Sequence, residues 1–177
     1  LQLIFKCCGA LDYAYRQGII HRDIKPENLM LVSGTEVKIA DFGASIFYKT
    51  QVTQKVIVGT PSYMSLEQIS GHRLTHASDM YSLGVVAYQL LTGMLPFRAK
   101  NITELFEAIA SNQPVPPSRH RSEVPADLDN IILRMIAKTP DERYSNWAEL
   151  ALEIAAIGRF TDNSRLFCRP HPDANRS

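Results

Sequence analysis

Three cysteines in 177 residues are few. Cys7, Cys8 and Cys168 cannot build a disulfide framework, and with the five histidines they lack zinc-ligand spacing. A reducing, cytoplasmic setting is the expectation. An excess of one charge is missing too. Nineteen basic against 18 acidic side chains leave a net charge of +1, which argues against a nucleic-acid binder that works by neutralising phosphates. No run reaches the roughly 18 apolar residues of a membrane span. The N-terminus has no basic-then-apolar signal pattern, and no internal repeat is found. The chain does not start with Met; with no signal cleavage site to account for that, Leu1 reads as a cut edge.

What remains is a chain 45% hydrophobic and 21% charged, of a length for one domain or one large lobe. Apolar residues at Leu1, Ile4, Cys8, Leu11 and Tyr15 predict an amphipathic helix over 1–17, closed by Gly18. Short strands are expected at 19–20, 29–32 and 36–40, with 33–35 as hairpin punctuation. From 41 to 67 periodicity is lacking, and the stretch reads as a long functional loop. Helices are expected over 79–91, 102–110, 127–137 and 146–157, with a Pro-rich break at 114–117. Residues 159–177, poor in apolar groups, read as a flexible tail. The fold class is α-rich α+β.

The segment His21-Arg22-Asp23-Ile24-Lys25-Pro26-Glu27-Asn28 sets a carboxylate, an ammonium and an amide at spacings 0, +2 and +5 after a buried strand. Asp41-Phe42-Gly43 follows at the end of another strand. Phosphoryl transfer requires such parts: a carboxylate to orient the attacking hydroxyl, a cation for the moving phosphoryl group, and oxygen ligands for magnesium. The tripeptide alone is common; the eight-residue block is the specific signal.

Together these motifs resemble a eukaryotic-type Ser/Thr protein kinase, in a form close to the bacterial enzymes, and the likeness runs from Leu1 to about Gly158. It covers the large C-terminal lobe only. The resemblance implies a protein-kinase-like fold for 1–158, with Asp23 as catalytic base, Lys25 on the phosphate and Asn28 and Asp41 as magnesium ligands. It implies Met30 as the floor beneath the adenine, and His21, Phe42 and Gly43 in the array that aligns an active kinase. Gly59-Thr60-Pro61-Ser62-Tyr63-Met64-Ser65-Leu66-Glu67-Gln68 resembles the end of an activation segment, with Leu66 where the family has proline. On that likeness Thr60 bridges Asp23 and Lys25, Glu67 pairs with Arg143 as a buried brace, and Asp79 anchors the catalytic-loop backbone. Arg22 beside Asp23 implies control by a phosphorylated loop residue, with Thr50 and Thr53 as acceptors.

ATP and magnesium, or manganese in its place, are the implied cofactors, and serine or threonine hydroxyls of proteins the substrates. The N-terminal lobe of the family is absent: the nine glycines form no G-x-G-x-x-G, Lys6 is the only lysine before the catalytic loop, and no Glu precedes Glu27. The expectation is a kinase lobe inactive without that missing lobe as partner. The alternatives are a non-catalytic interaction module or a degenerate remnant. Without the small lobe, Leu29, Met30 and Phe42 should be left uncovered.

Overall fold

The computed structural model describes residues 1–32, 36–47 and 58–158. Residues 33–35, expected as hairpin punctuation, Thr50, Thr53, Cys168 and the expected tail 159–177 lie outside the described residues. Helix α1 (Gln2–Arg16) buries Ile4, Phe5, Cys7, Cys8, Leu11 and Ala14, one stripe at three-and-four spacing. Both cysteines are inert thiols, since burial pushes their pKa values upward. Gly18, at φ +83°, makes the left-handed step into β1 (Ile19–Ile20). Strands β2 (Leu29–Val32) and β3 (Glu36–Ile39) pair antiparallel, from Leu29↔Ile39 to Val32↔Glu36.

The stretch 41–67 is less featureless than expected. It holds a 3-10 turn at Phe42–Ala44, strand β4 (Ile46–Phe47), a second turn at Pro61–Tyr63 and a short helix α2 (Leu66–Ile69). Strand β4 pairs antiparallel with β1, far back in the chain. A two-residue strand has no periodicity to read; only its partner makes it one.

Helix α3 (His76–Thr92) starts three residues before the expected 79, because Thr75 caps it: the Thr75 hydroxyl accepts from Ala77 N at 3.2 Å. Residues 77–88 of α3 are buried without interruption, so it is surrounded on every side. Helix α4 (Ile102–Ser111) is capped by Asn101. The expected Pro-rich break at 114–117 leads into a turn of helix, α5 (Pro117–His120), where proline suits the first helical position. Helices α6 (Ala126–Met135) and α7 (Trp147–Gly158) complete the lobe.

Helix α3 packs on α1 and α6, and α1 packs on α7. At Gly84 a Cβ would stand 2.7 Å from Met135 Cβ and Ile136 Cγ2, so its missing side chain is what lets α3 touch the end of α6. Tyr81 and Trp147 lie in the core, each 1% exposed. Met30, Leu31, Phe42 and Phe47, on the strand-bearing part of the chain, stay exposed. Leu29 is half-buried and packs against the core. No helix among the described residues is long and apolar enough to cross a membrane.

Candidate active site

The catalytic-loop candidate begins where β1 ends, and α3 holds its backbone. The amides of His21 and Arg22 donate to Asp79 Oδ2 and Oδ1, both at 2.8 Å. Burial pushes the Asp79 carboxyl up, against the pull of those two amides and of the Arg22 charge. Arg22 sits at φ +70°, a left-handed conformation that costs a non-glycine residue about 1–2 kcal/mol. Its Nε donates to the Ala44 carbonyl. His21 Nε2 donates to Ala40 O at 3.0 Å, while Asp23 N donates to His21 Nδ1 at 3.3 Å. The two contacts place the imidazole proton on Nε2. The Phe42 ring meets His21 edge-on, 4.6 Å between centroids.

Asp23 is held at both oxygens. Oδ1 accepts from Thr60 N (2.9 Å) and Thr60 Oγ1 (2.8 Å), and Oδ2 pairs with Lys25 Nζ at 2.8 Å. Lys25 also donates to Thr60 Oγ1 at 3.0 Å, which closes a triangle of Asp23, Lys25 and Thr60. Burial works against ionisation of Asp23. The bonds from Lys25 and Thr60 outweigh it and hold the carboxyl below its ordinary 3.8. The bond to Asp23 raises the Lys25 pKa; burial opposes, and the charges of Asp23, Glu27 and Asp41 add to the rise.

Asn28, in the turn Pro26–Asn28, donates Nδ2 to Asp23 O at 2.7 Å and more weakly to Asp23 Oδ2 at 3.4 Å. Its amide oxygen is of the kind that could hold a cation. Asp41 is exposed at φ +59°, and its Oδ1 accepts from Gly43 N at 3.3 Å. A backbone bond from Ala40 N to Asn28 O (2.9 Å) ties the two loops together. The donor set is all oxygen, as magnesium demands, and one carboxylate faces solvent, so the residues fit the ion. Met30 is 53% exposed on β2.

The brace lies behind. Arg143 Nη1 and Nη2 donate to Glu67 Oε1 (2.7 Å) and Oε2 (3.0 Å), and Ser78 Oγ donates to Oε1 at 2.9 Å. The remaining Arg143 donors reach the carbonyls of Ala77, Ala137 and Lys138. Burial raises the Glu67 pKa, but the Arg143 guanidinium more than cancels that and keeps it below its ordinary 4.5. Leu66, where the family has proline, opens α2 without disturbing this pair.

Sequence reasoning missed how much of this one helix organises. From α3, Ser78 reaches Glu67, Asp79 reaches His21 and Arg22, Ser82 Oγ donates to Tyr63 O (2.7 Å), and Gln89 Oε1 accepts from Tyr63 Oη (2.7 Å). It also missed Gln68, whose Nε2 donates to Arg22 O at 2.9 Å. The only sequence signal was the S-x-x-Q spacing of Ser65 and Gln68, a capping box.

A helical lobe that carries this triangle above a buried Glu–Arg brace defines a class. The chain belongs to the protein kinase domain family, which it matches over residues 2–155. Its relatives are bacterial enzymes of the eukaryotic type. It is 38% identical, over 89% of its length, to the serine/threonine-protein kinase PknB of Mycolicibacterium smegmatis, and 40% identical, over 88%, to the serine/threonine-protein kinase Pkn1 of Myxococcus xanthus. With the serine/threonine-protein kinase pkn3 of Myxococcus xanthus it shares 33% identity over its whole length. The chain spans 26%, 24% and 34% of those three proteins.

Proposed function

We propose that this chain is the large lobe of a serine/threonine protein kinase, which transfers the γ-phosphoryl group of ATP to protein hydroxyls once a small lobe is supplied. The observation that carries the reading is the Asp23–Lys25–Thr60 triangle, which holds an ionised carboxylate and an ammonium side by side in a half-buried site. Asp23 orients the substrate hydroxyl and takes its proton as the bond from that oxygen to phosphorus forms and the bond from phosphorus to the leaving oxygen breaks. Lys25 offsets charge on the transferred group. Asn28 Oδ1 and the Asp41 carboxylate would hold magnesium, which neutralises charge on the nucleotide phosphates. Met30 would lie under the adenine, and Arg22 would answer a phosphate on Thr50 or Thr53.

The experiment is phosphotransfer from ATP to Ser/Thr peptides by the protein expressed with whatever coding sequence precedes Leu1 in frame. Asp23→Asn should lower kcat about 100-fold or more while nucleotide binding persists. Activity that survives the change contradicts the role given to Asp23. The 177-residue chain alone should bind magnesium–ATP weakly, for want of the small lobe's phosphate contacts. Micromolar affinity in a titration would contradict that. A chain folded and bound to a partner, yet inactive with any upstream sequence, would instead favour an interaction module.

A further inference from the structure

The carbonyl of Arg22 is where three segments converge. Arg22 is left-handed, and a residue in that state persists only where its surroundings fix it. Asp79 fixes the amide side, as described. On the carbonyl side Gln68 Nε2 donates at 2.9 Å, from a buried position. Gly59 backs the same oxygen: a Cβ there would stand 2.8 Å from Arg22 O, and its φ of +124° suits glycine alone.

The amide plane of Gln68 cannot turn over. Its Oε1 accepts from Ser65 N and Ser65 Oγ, both at 3.2 Å. A flipped amide would set hydrogen against Ser65 N–H and oxygen against the Arg22 carbonyl. The capping box itself uses only Oε1, and glutamate serves that purpose as well as glutamine. What a glutamate carboxylate lacks is the donor aimed at Arg22.

The peptide that Gln68 grips contributes its nitrogen to Asp23, and that nitrogen donates to His21 Nδ1. Rotation of the peptide would carry Asp23 away from Thr60 and Lys25. We propose that Gln68 is a positioning residue for Asp23, coupling the end of the activation segment to the catalytic loop through the Arg22 carbonyl. The catalytic half of this inference rests on the role given to Asp23 under Proposed function; the structural half does not.

The test uses Gln68→Glu, which keeps the capping box but has no donor when ionised, and Gln68→Met, which has neither group. In the protein expressed with its in-frame upstream sequence, both should lower kcat about 10- to 100-fold at neutral pH, with the KM for ATP changed less than about twofold. As the pH is lowered by about two units, Gln68→Glu should regain activity relative to wild type, because a protonated carboxyl donates to Arg22 O; Gln68→Met should not. Trp147 fluorescence reports that each variant is folded. An unchanged kcat in both variants, or an equal loss with no recovery in Gln68→Glu, would overturn the proposal.

The structural half has its own readout in the chain itself. The amide of Thr60, which donates to Asp23 Oδ1, should exchange its hydrogen faster in Gln68→Met than in wild type. Unchanged exchange at Thr60 overturns the positioning role. An inactive wild type whose Thr60 amide still responds to Gln68 would contradict only the kinase reading.

Discussion

Asp23 and Asp41 both lie just past short strands, yet the lobe treats them differently. Asp23 has bonds to both oxygens, from Thr60 and Lys25, and its loop is gripped from behind by Asp79 and Gln68. Asp41 is exposed, left-handed, and makes one local bond of 3.3 Å to Gly43 N. The difference separates two kinds of preorganisation. On the proposed assignment, the base side at Asp23 is built by the lobe itself and its cost is met on folding, whereas the metal side at Asp41 presents an acceptor whose further partners would arrive with the nucleotide.

The comparison breaks most severely at the brace. Arg143→Ala leaves the Glu67 carboxylate buried with only Ser78 for company and should cost about 3–5 kcal/mol in urea unfolding followed by Trp147 fluorescence. Asp79→Asn is next: an amide can accept from only one of the two catalytic-loop amides, and leaving the other unmet should cost about 1–3 kcal/mol. It should also raise the Asp23 titration, as the loop slackens.

Acid sharpens the contrast more gently. Glu67 titrates below its ordinary 4.5 in the folded chain, so its stabilising contribution is complete above that value and is lost as the pH falls through the lower, folded one. Acid unfolding of Glu67→Gln should therefore be less steep over that window than that of wild type, although the variant is less stable at neutral pH. The smallest effect is expected at Asp41→Asn: an unchanged urea midpoint, because the side chain is exposed and lightly bonded, with weaker magnesium-dependent nucleotide binding in the protein expressed with any in-frame upstream sequence.

The main helices, the β2–β3 pair and the motif residues were legible because each leaves a local trace. Helix α1 shows its stripe at Ile4, Cys8 and Leu11, and the eight residues from His21 carry their own spacing. What escaped depends on partners distant in the chain. Strand β4 exists only by pairing with β1, and α3 begins at a polar cap that hydrophobic periodicity does not register. Gln68 escaped for the same reason: its capping partner is three residues away and visible, whereas Arg22 is 46 residues back and is not.

The most direct test of a base side built by the lobe itself is amide hydrogen exchange in the 177-residue chain without nucleotide. The amides of His21 and Arg22, bonded to Asp79, and of Thr60, bonded to Asp23, should exchange as slowly as the core of α3, while Gly43 exchanges near the unprotected rate. Equal, fast exchange at Thr60 and Gly43 would contradict the account, since the carboxylate of Asp23 would then be no better held than that of Asp41.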